Sequence, residues 1–197
     1  MPVRVVIAED EALIRLDLKE ILQEEGYEVV GETGRGDEAV ALVRLHKPDL
    51  AILDIRMPGM DGLSAAREIT SERHAAVLIL TAHSQRDLIE EARDAGALAY
   101  LVKPFQTSEL IPAIEVALGR FHEMKALAEQ NESLEEQLET RKAVDHAKGI
   151  LMDECGMKEA EAFAFIQKTA MRERVKMKEI ARRIIDGSLR PEQAPAE

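Results

Sequence analysis

LAILDI (50–55) is a continuous apolar run with one acid, Asp54, near its end. Runs of this length without alternation belong to strands covered on both faces. The same signal recurs on either side. VRVVIA (3–8) and YEVVG (27–31) precede it, and VLILT (77–81) and ALAYLV (97–102) follow. Amphipathic stretches separate them: one carries Leu13, Leu16, Ile21 and Leu22, and others fall at about 36–46, 62–72 and 84–95. Five strand–helix repeats with short connections predict an α/β fold, a flavodoxin-like doubly wound five-stranded parallel sheet. In the strand order 2-1-3-4-5 the ligand crevice lies beyond the carboxyl ends of strands one and three.

That crevice is acidic. Strand one ends in Glu9, Asp10 and Glu11, and strand three in Asp54. Singly, each acid reads better as a structural helix N-cap than as a catalytic group. Together, Glu9, Asp10 and Asp54 repel one another unless a cation sits among them. Oxygen-only ligands suit Mg²⁺. Strand four ends in Thr81, and strand five is followed by Lys103-Pro104. A hydroxyl and an ammonium at the same edge make an anion site beside the metal. The set of carboxylate nucleophile, metal, cationic clamp and hydroxyl donor suits a phosphoryl group.

Residues 1–120 resemble a two-component response-regulator receiver domain through VIAEDE (6–11), LAILDIRMPGMDG (50–62), LILTA (78–82) and YLVKPF (100–105). The resemblance implies that Asp54 accepts phosphate from a sensor histidine kinase. It implies Mg²⁺ held by Glu9, Asp10, Asp54 and the backbone carbonyl of Arg56. Lys103 would bind phosphoryl oxygens, with Thr81 and Tyr100 as the switch and a cis peptide at Lys103-Pro104. The chain would then be a phosphoacceptor signalling protein and not an enzyme. The first acid is Glu9 where Asp is more usual, which bears on whether it reaches the metal directly or through water.

The 197 residues carry 26 basic and 38 acidic side chains, a net charge of −12, with no Trp and one cysteine. The charge disfavours a chain-wide nucleic-acid coat and the few aromatics disfavour base-stacking platforms, while one cysteine excludes disulfides within the chain and cysteine zinc sites. The start lacks a signal-peptide layout and no apolar run approaches a membrane span, so the expected location is cytoplasmic, with no membrane partner. Charge is uneven: net −10 over 1–118, −4 over 119–140 and +4 over 141–190. One basic segment in an acidic chain suggests a second domain with its own partner.

After Pro104 the pattern is helical. Pro112 either kinks the helix begun at Thr107 or marks its first turn. Residues 121–140 form a linker in which Met124, Leu127, Asn131, Leu134 and Leu138 follow a 3,4 spacing, a short coiled-coil seam. Residues 141–186 predict a small all-α domain of three helices, broken near Gly156 and around 172–175. The segment 187–197 has two prolines and no apolar cluster, which predicts disorder. Arg141, Lys142, Lys148, Arg172, Arg174, Lys176, Arg182 and Arg183 leave the apolar helix faces free, and they are the candidate contacts for this domain's own partner.

HAKGILM (146–152), EAFAFI (161–166), TAM (169–171) and KMKEIA (176–181) resemble the ANTAR domain, an RNA-binding antiterminator module. With the receiver this implies a phosphorylation-dependent antitermination regulator that binds stem-loops in nascent mRNA. A homodimer through the linker or the C-terminal helices on phosphorylation is compatible with the seam. Two other classes stay open on the residues: a DNA-binding transcription factor using a helix-turn-helix, and a protein-interaction regulator.

Overall fold

The computed structural model describes residues 2–82 and 86–190. Five parallel strands, β1 (Arg4–Ala8), β2 (Glu28–Thr33), β3 (Leu50–Asp54), β4 (Ala76–Thr81) and β5 (Ala99–Val102), lie in the order β2-β1-β3-β4-β5. This is the doubly wound order expected from the sequence. Between them run α1 (Ala12–Glu24), α2 (Gly36–His46), α3 (Gly62–Ser71) and α4 (Arg86–Asp94).

Both faces of the sheet are covered, which is why its strands are apolar throughout. Val5, Ile7, Leu50, Ile52, Leu78 and Leu80 pack with Leu18 and Leu22 of α1 and with Leu110 and Ile114. Their neighbours Val6, Ala8, Ala51, Leu53, Val77 and Ile79 point the other way, onto Val40 and Val43 of α2 and Leu63 and Ile69 of α3. The period of two along each strand divides the side chains between two cores. Ile52 is fully buried, so Ile52→Ala costs about 2–5 kcal/mol. Parallel pairing aligns Ala8 with Leu53, and Asp54 with Leu80. The acid-bearing ends of β1 and β3 therefore sit side by side with the end of β4.

Contacts divide the chain into two compact units, Met1–Ala126 and Leu127–Glu197. The boundary lies inside α5 (Thr107–Cys155). Residues 121–140 and the first C-terminal helix are thus one continuous helix, because between Gly119 and Gly149 the sequence holds good helix formers and no proline. Pro112 lies in the second turn of α5 and not in its first; it removes one backbone hydrogen bond there.

In the second unit α5 ends before Gly156, whose φ of +66° suits a residue without Cβ. Next come α6 (Glu159–Glu173) and α7 (Met177–Ile185). The Glu161 carboxylate accepts the Lys158 N–H at 2.8 Å and opens α6. Arg174, with φ of 58°, closes it. Val144, Ala147 and Leu151 meet Ala162, Ile166, Ala170, Ile180, Ala181 and Ile184 in one core. Alanine at four of these nine positions lets the helices approach closely. The disorder expected from 187 onward is corrected for 187–190. There Leu189 packs on this core and Arg190 pairs with Glu154 at 2.9 Å, an apolar anchor the composition argument overlooked. Residues 191–197 lie outside the described residues. Among the described residues no helix is long and apolar enough to cross a membrane.

Candidate functional site

β1 delivers Glu9 and Asp10, and β3 delivers Asp54. One carboxylate oxygen from each lies within 4.8 Å of the others. Glu9 is fully buried, Asp54 nearly so, and Asp10 is exposed. The Lys103 ammonium reaches in from the end of β5, 2.6 Å from Glu9 Oε2 and 2.6 Å from Asp54 Oδ1. Its backbone N–H donates to the Thr81 carbonyl at 2.8 Å, which ties the β5 end to β4. The Lys103-Pro104 peptide is cis. The Arg56 N–H donates to Asp54 Oδ2 at 2.7 Å. Asp10, Glu11, Asp54, Arg56, Thr81 and Lys103 line one crevice of about 420 Å³. The structure therefore brings together every residue expected at the phosphate and metal site except Tyr100. That side chain lies on β5, aligned with Ile79 and 45% exposed, and does not line the crevice.

The electrostatics are unbalanced. Three carboxylates face one ammonium. Burial pushes the Glu9 carboxyl above its usual range; Lys103 opposes that rise, and the neighbouring Asp54 adds to it. Burial pulls Lys103 down, but the Asp54 and Glu9 carboxylates outweigh it and hold the ammonium above its ordinary value. Glu9 Oε2 is buried, and the Lys103 ammonium at 2.6 Å is its partner, shared with Asp54. An all-oxygen set with more negative than positive charge fits a hard divalent cation.

One support of this site was not legible in the sequence. Arg15, one turn into α1, donates through Nη1 to the Glu9 carbonyl and fixes the β1 end. Its only sequence signal is its place on the first turn after the acids. Gly62 opens α3 against the site: a Cβ there would collide with the Asp54 carbonyl oxygen. The Asp61 side chain caps the same helix by accepting the Ser64 N–H at 2.8 Å.

In the second unit the eight candidate RNA contacts differ in their partners. Lys176 pairs with Glu136 at 2.6 Å, and Arg183 with Glu173. Lys148 is held by Asp145 and Glu159 at 2.9 and 2.8 Å, and its side chain is only 16% exposed. Arg141, Lys142 and Arg172 make looser pairs at 3.9, 4.0 and 3.6 Å with Asp145, Glu139 and Glu173. Arg174 and Arg182 are exposed and make no ion pair among the described residues.

Comparison with known proteins agrees with both halves. Residues 5–115 match the response regulator receiver domain family, and residues 132–185 match the ANTAR domain family. The chain is 59% identical over 186 residues to the transcriptional regulatory protein PdtaR of Mycobacterium tuberculosis, covering 94% of this chain and 91% of that protein. It is 39% identical to the chemotaxis protein CheY of Bacillus subtilis over 59% of this chain and 98% of CheY. Among solved structures, the receiver domain of the response regulator NarL from Mycobacterium tuberculosis superposes with a TM-score of 0.58 at 34% identity, over 60% of this chain and 97% of that one. The chain thus belongs to the response regulators that join a receiver domain to an ANTAR domain.

Proposed function

We propose that this protein couples phosphorylation of Asp54 by a sensor histidine kinase to transcription antitermination, through binding of stem-loops in nascent mRNA. The observation that carries the receiver half is the Glu9, Asp10 and Asp54 cluster with Lys103 at 2.6 Å from two of its members. Asp54 is the acceptor: its carboxylate lines the crevice, held by Lys103 on one oxygen and the Arg56 N–H on the other. An Asp54 oxygen attacks the phosphorus of a phosphohistidine, the P–N bond breaks, and an acyl phosphate forms as the imidazole leaves. Glu9, Asp10, Asp54 and the Arg56 carbonyl would hold Mg²⁺, which supplies charge neutralisation for the incoming anion. Lys103 can turn from Glu9 and Asp54 to the phosphoryl oxygens without leaving the crevice. Thr81, buried at the end of β4 and lining the same crevice, is the hydroxyl donor, and Tyr100 on the adjoining strand is its partner in the switch.

The RNA half is supported by the ANTAR match and by charge. Residues 141–190 are net +4 in a chain of net −12, so a polyanion is attracted to this segment and repelled elsewhere. The test has two parts. Labelling with a small acyl phosphate and Mg²⁺, read by mass spectrometry, should add one phosphoryl group to the wild type and none to Asp54→Asn. Gel shifts of the phosphorylated chain should show a complex with stem-loop RNA and none with duplex DNA. A DNA shift would favour a transcription factor, and no shift with either would favour a protein-interaction regulator.

A further inference from the structure

In the first unit the buried polar side chains among the described residues are Glu9, Thr33, Asp54 and Thr81. Three of them belong to the crevice, and Thr33 does not line it. Thr33 ends β2, and its carbonyl accepts the Glu9 N–H at 3.0 Å. Its hydroxyl donates to a carboxylate oxygen of Glu38 in α2 and accepts the Arg35 N–H at 3.2 Å. One side chain thus sets the shape of the β2–α2 turn, residues 33–36. Gly36, buried at the end of that turn, lies against the backbone of Met60: a Cβ there would fall 2.2 Å from the Met60 carbonyl oxygen. Gly59 meets the same turn. Its φ is +80°, and a Cβ on it would fall 2.6 Å from the Arg35 guanidinium.

Met60 belongs to the loop 55–61 between β3 and α3. The loop closes where the Gly62 N–H donates to the Ile55 carbonyl at 2.9 Å and Gly62 abuts the Asp54 carbonyl. Through the Arg56 N–H it also holds Asp54 Oδ2. The β2–α2 turn therefore touches both segments that bear the acids, the β1 end through Thr33 and the loop after β3 through Gly36. We infer that Thr33 and Gly36 are positioning residues for the metal, and that their turn is a strut fixing the spacing between Glu9–Asp10 and Asp54–Arg56. The inference rests on the receiver reading above and adds to it residues outside the crevice that set metal affinity. Mg²⁺ demands near-octahedral geometry at short, fixed distances, so a shift of one loop against the other is felt at the ion. A methyl group at Gly36 must push the Met60 backbone by about 1 Å, because neither contacting atom is the free end of a side chain.

The full chain is titrated with Mn²⁺, which suits the same oxygen ligands as Mg²⁺, and free Mn²⁺ is read by electron paramagnetic resonance. Gly36→Ala should weaken Mn²⁺ binding about tenfold. Thr33→Val removes the hydroxyl at nearly constant shape and charge and should do the same, and Thr33→Ser should restore binding. Gly34→Ala is the control within the turn: the nearest atom to a Cβ there is 3.4 Å away, so its affinity should equal that of the wild type. The Mg²⁺ concentration giving half the maximal labelling rate with a small acyl phosphate should rise by the same factor in Gly36→Ala and Thr33→Val. If Gly36→Ala does not fold by circular dichroism, the Thr33 pair decides. Lower urea midpoints with unchanged Mn²⁺ affinity in the folded variants would make both residues merely structural and overturn the inference, with the receiver reading intact. Failure of the wild type to bind Mn²⁺ would overturn the metal site itself, and the inference with it.

Discussion

Lys103 pairs with Glu9 and Asp54 at the crevice beyond β1 and β3, and Lys103→Met should show what it holds together. The methionine keeps most of the stem volume and removes the ammonium. Each 2.6 Å pair, with Glu9 and with Asp54, contributes roughly 6 kcal/mol of gross attraction at an effective dielectric of about 20. Most of that is spent on removing the three charges from water. The net effect of leaving two buried carboxylates facing each other is a loss of about 3–5 kcal/mol. Urea unfolding in the presence of a chelator should therefore shift the midpoint downward at an unchanged m-value. Two additions should return part of the loss. Asp54→Asn in the same background removes one of the opposed charges. Millimolar Mg²⁺ replaces the missing positive charge among the same oxygens. The double variant should be more stable than Lys103→Met alone, by about 1–3 kcal/mol. Equal midpoints for wild type and Lys103→Met in chelator would refute the claim that the ammonium offsets carboxylate repulsion. So would a double variant less stable than either single one.

Thr81→Ala should accept phosphate at Asp54 but lose most of the phosphorylation-dependent change in RNA affinity, read by gel shift before and after labelling; a wild-type response would remove Thr81 from the switch. Tyr27 donates to Glu115 at 2.9 Å, and burial together with that carboxylate pushes its phenol up to about 12. Its stabilising contribution is therefore complete below the unfolded value near 10 and is lost as pH rises through 12; ultraviolet titration should show one of the two tyrosines ionising late, and Tyr27→Phe should abolish that step. Arg182→Ala should reduce the salt dependence of RNA binding by about 0.7, whereas Arg183→Ala should do less because Glu173 already occupies its guanidinium.

The fold was legible because a buried parallel strand leaves a plain mark. LAILDI and its four counterparts are apolar on both faces since both faces are covered, and the strand order follows once helices must lie on each side. The site was legible for a related reason: residues at strand ends converge whatever the intervening helices do, so Glu9, Asp10, Asp54, Thr81 and Lys103 were placed by topology alone. Contacts that depend on rotamers left no such mark. Arg15 reaches the Glu9 carbonyl through a guanidinium whose direction no periodicity encodes, and Tyr27 meets Glu115 across 88 residues of chain. The continuity of α5 was obscured because a change of charge at about residue 141 resembles a boundary, although nothing there interrupts the backbone hydrogen bonds.

The C-terminal unit shows where counting charges falls short. The sequence offers eight cations as equivalents, yet six of them already face a carboxylate of the same unit. For the exposed pairs this matters little, since such pairs contribute about 0–1 kcal/mol and yield to a phosphate at small cost. Lys148 is different, being largely covered and shared between Asp145 and Glu159. A cation already paired with a carboxylate neutralises an RNA phosphate only in part, because the carboxylate set free repels the RNA. The salt slope should thus report fewer contacts than there are cations, with Arg174 and Arg182 contributing fully and Lys148 hardly at all. Neutralising Glu136, the partner of Lys176, should raise RNA affinity and steepen the slope, because it frees a cation without adding one. If Glu136→Gln instead leaves both unchanged while Arg182→Ala lowers both, Lys176 lies off the RNA path and the surface is confined to the α6–α7 corner.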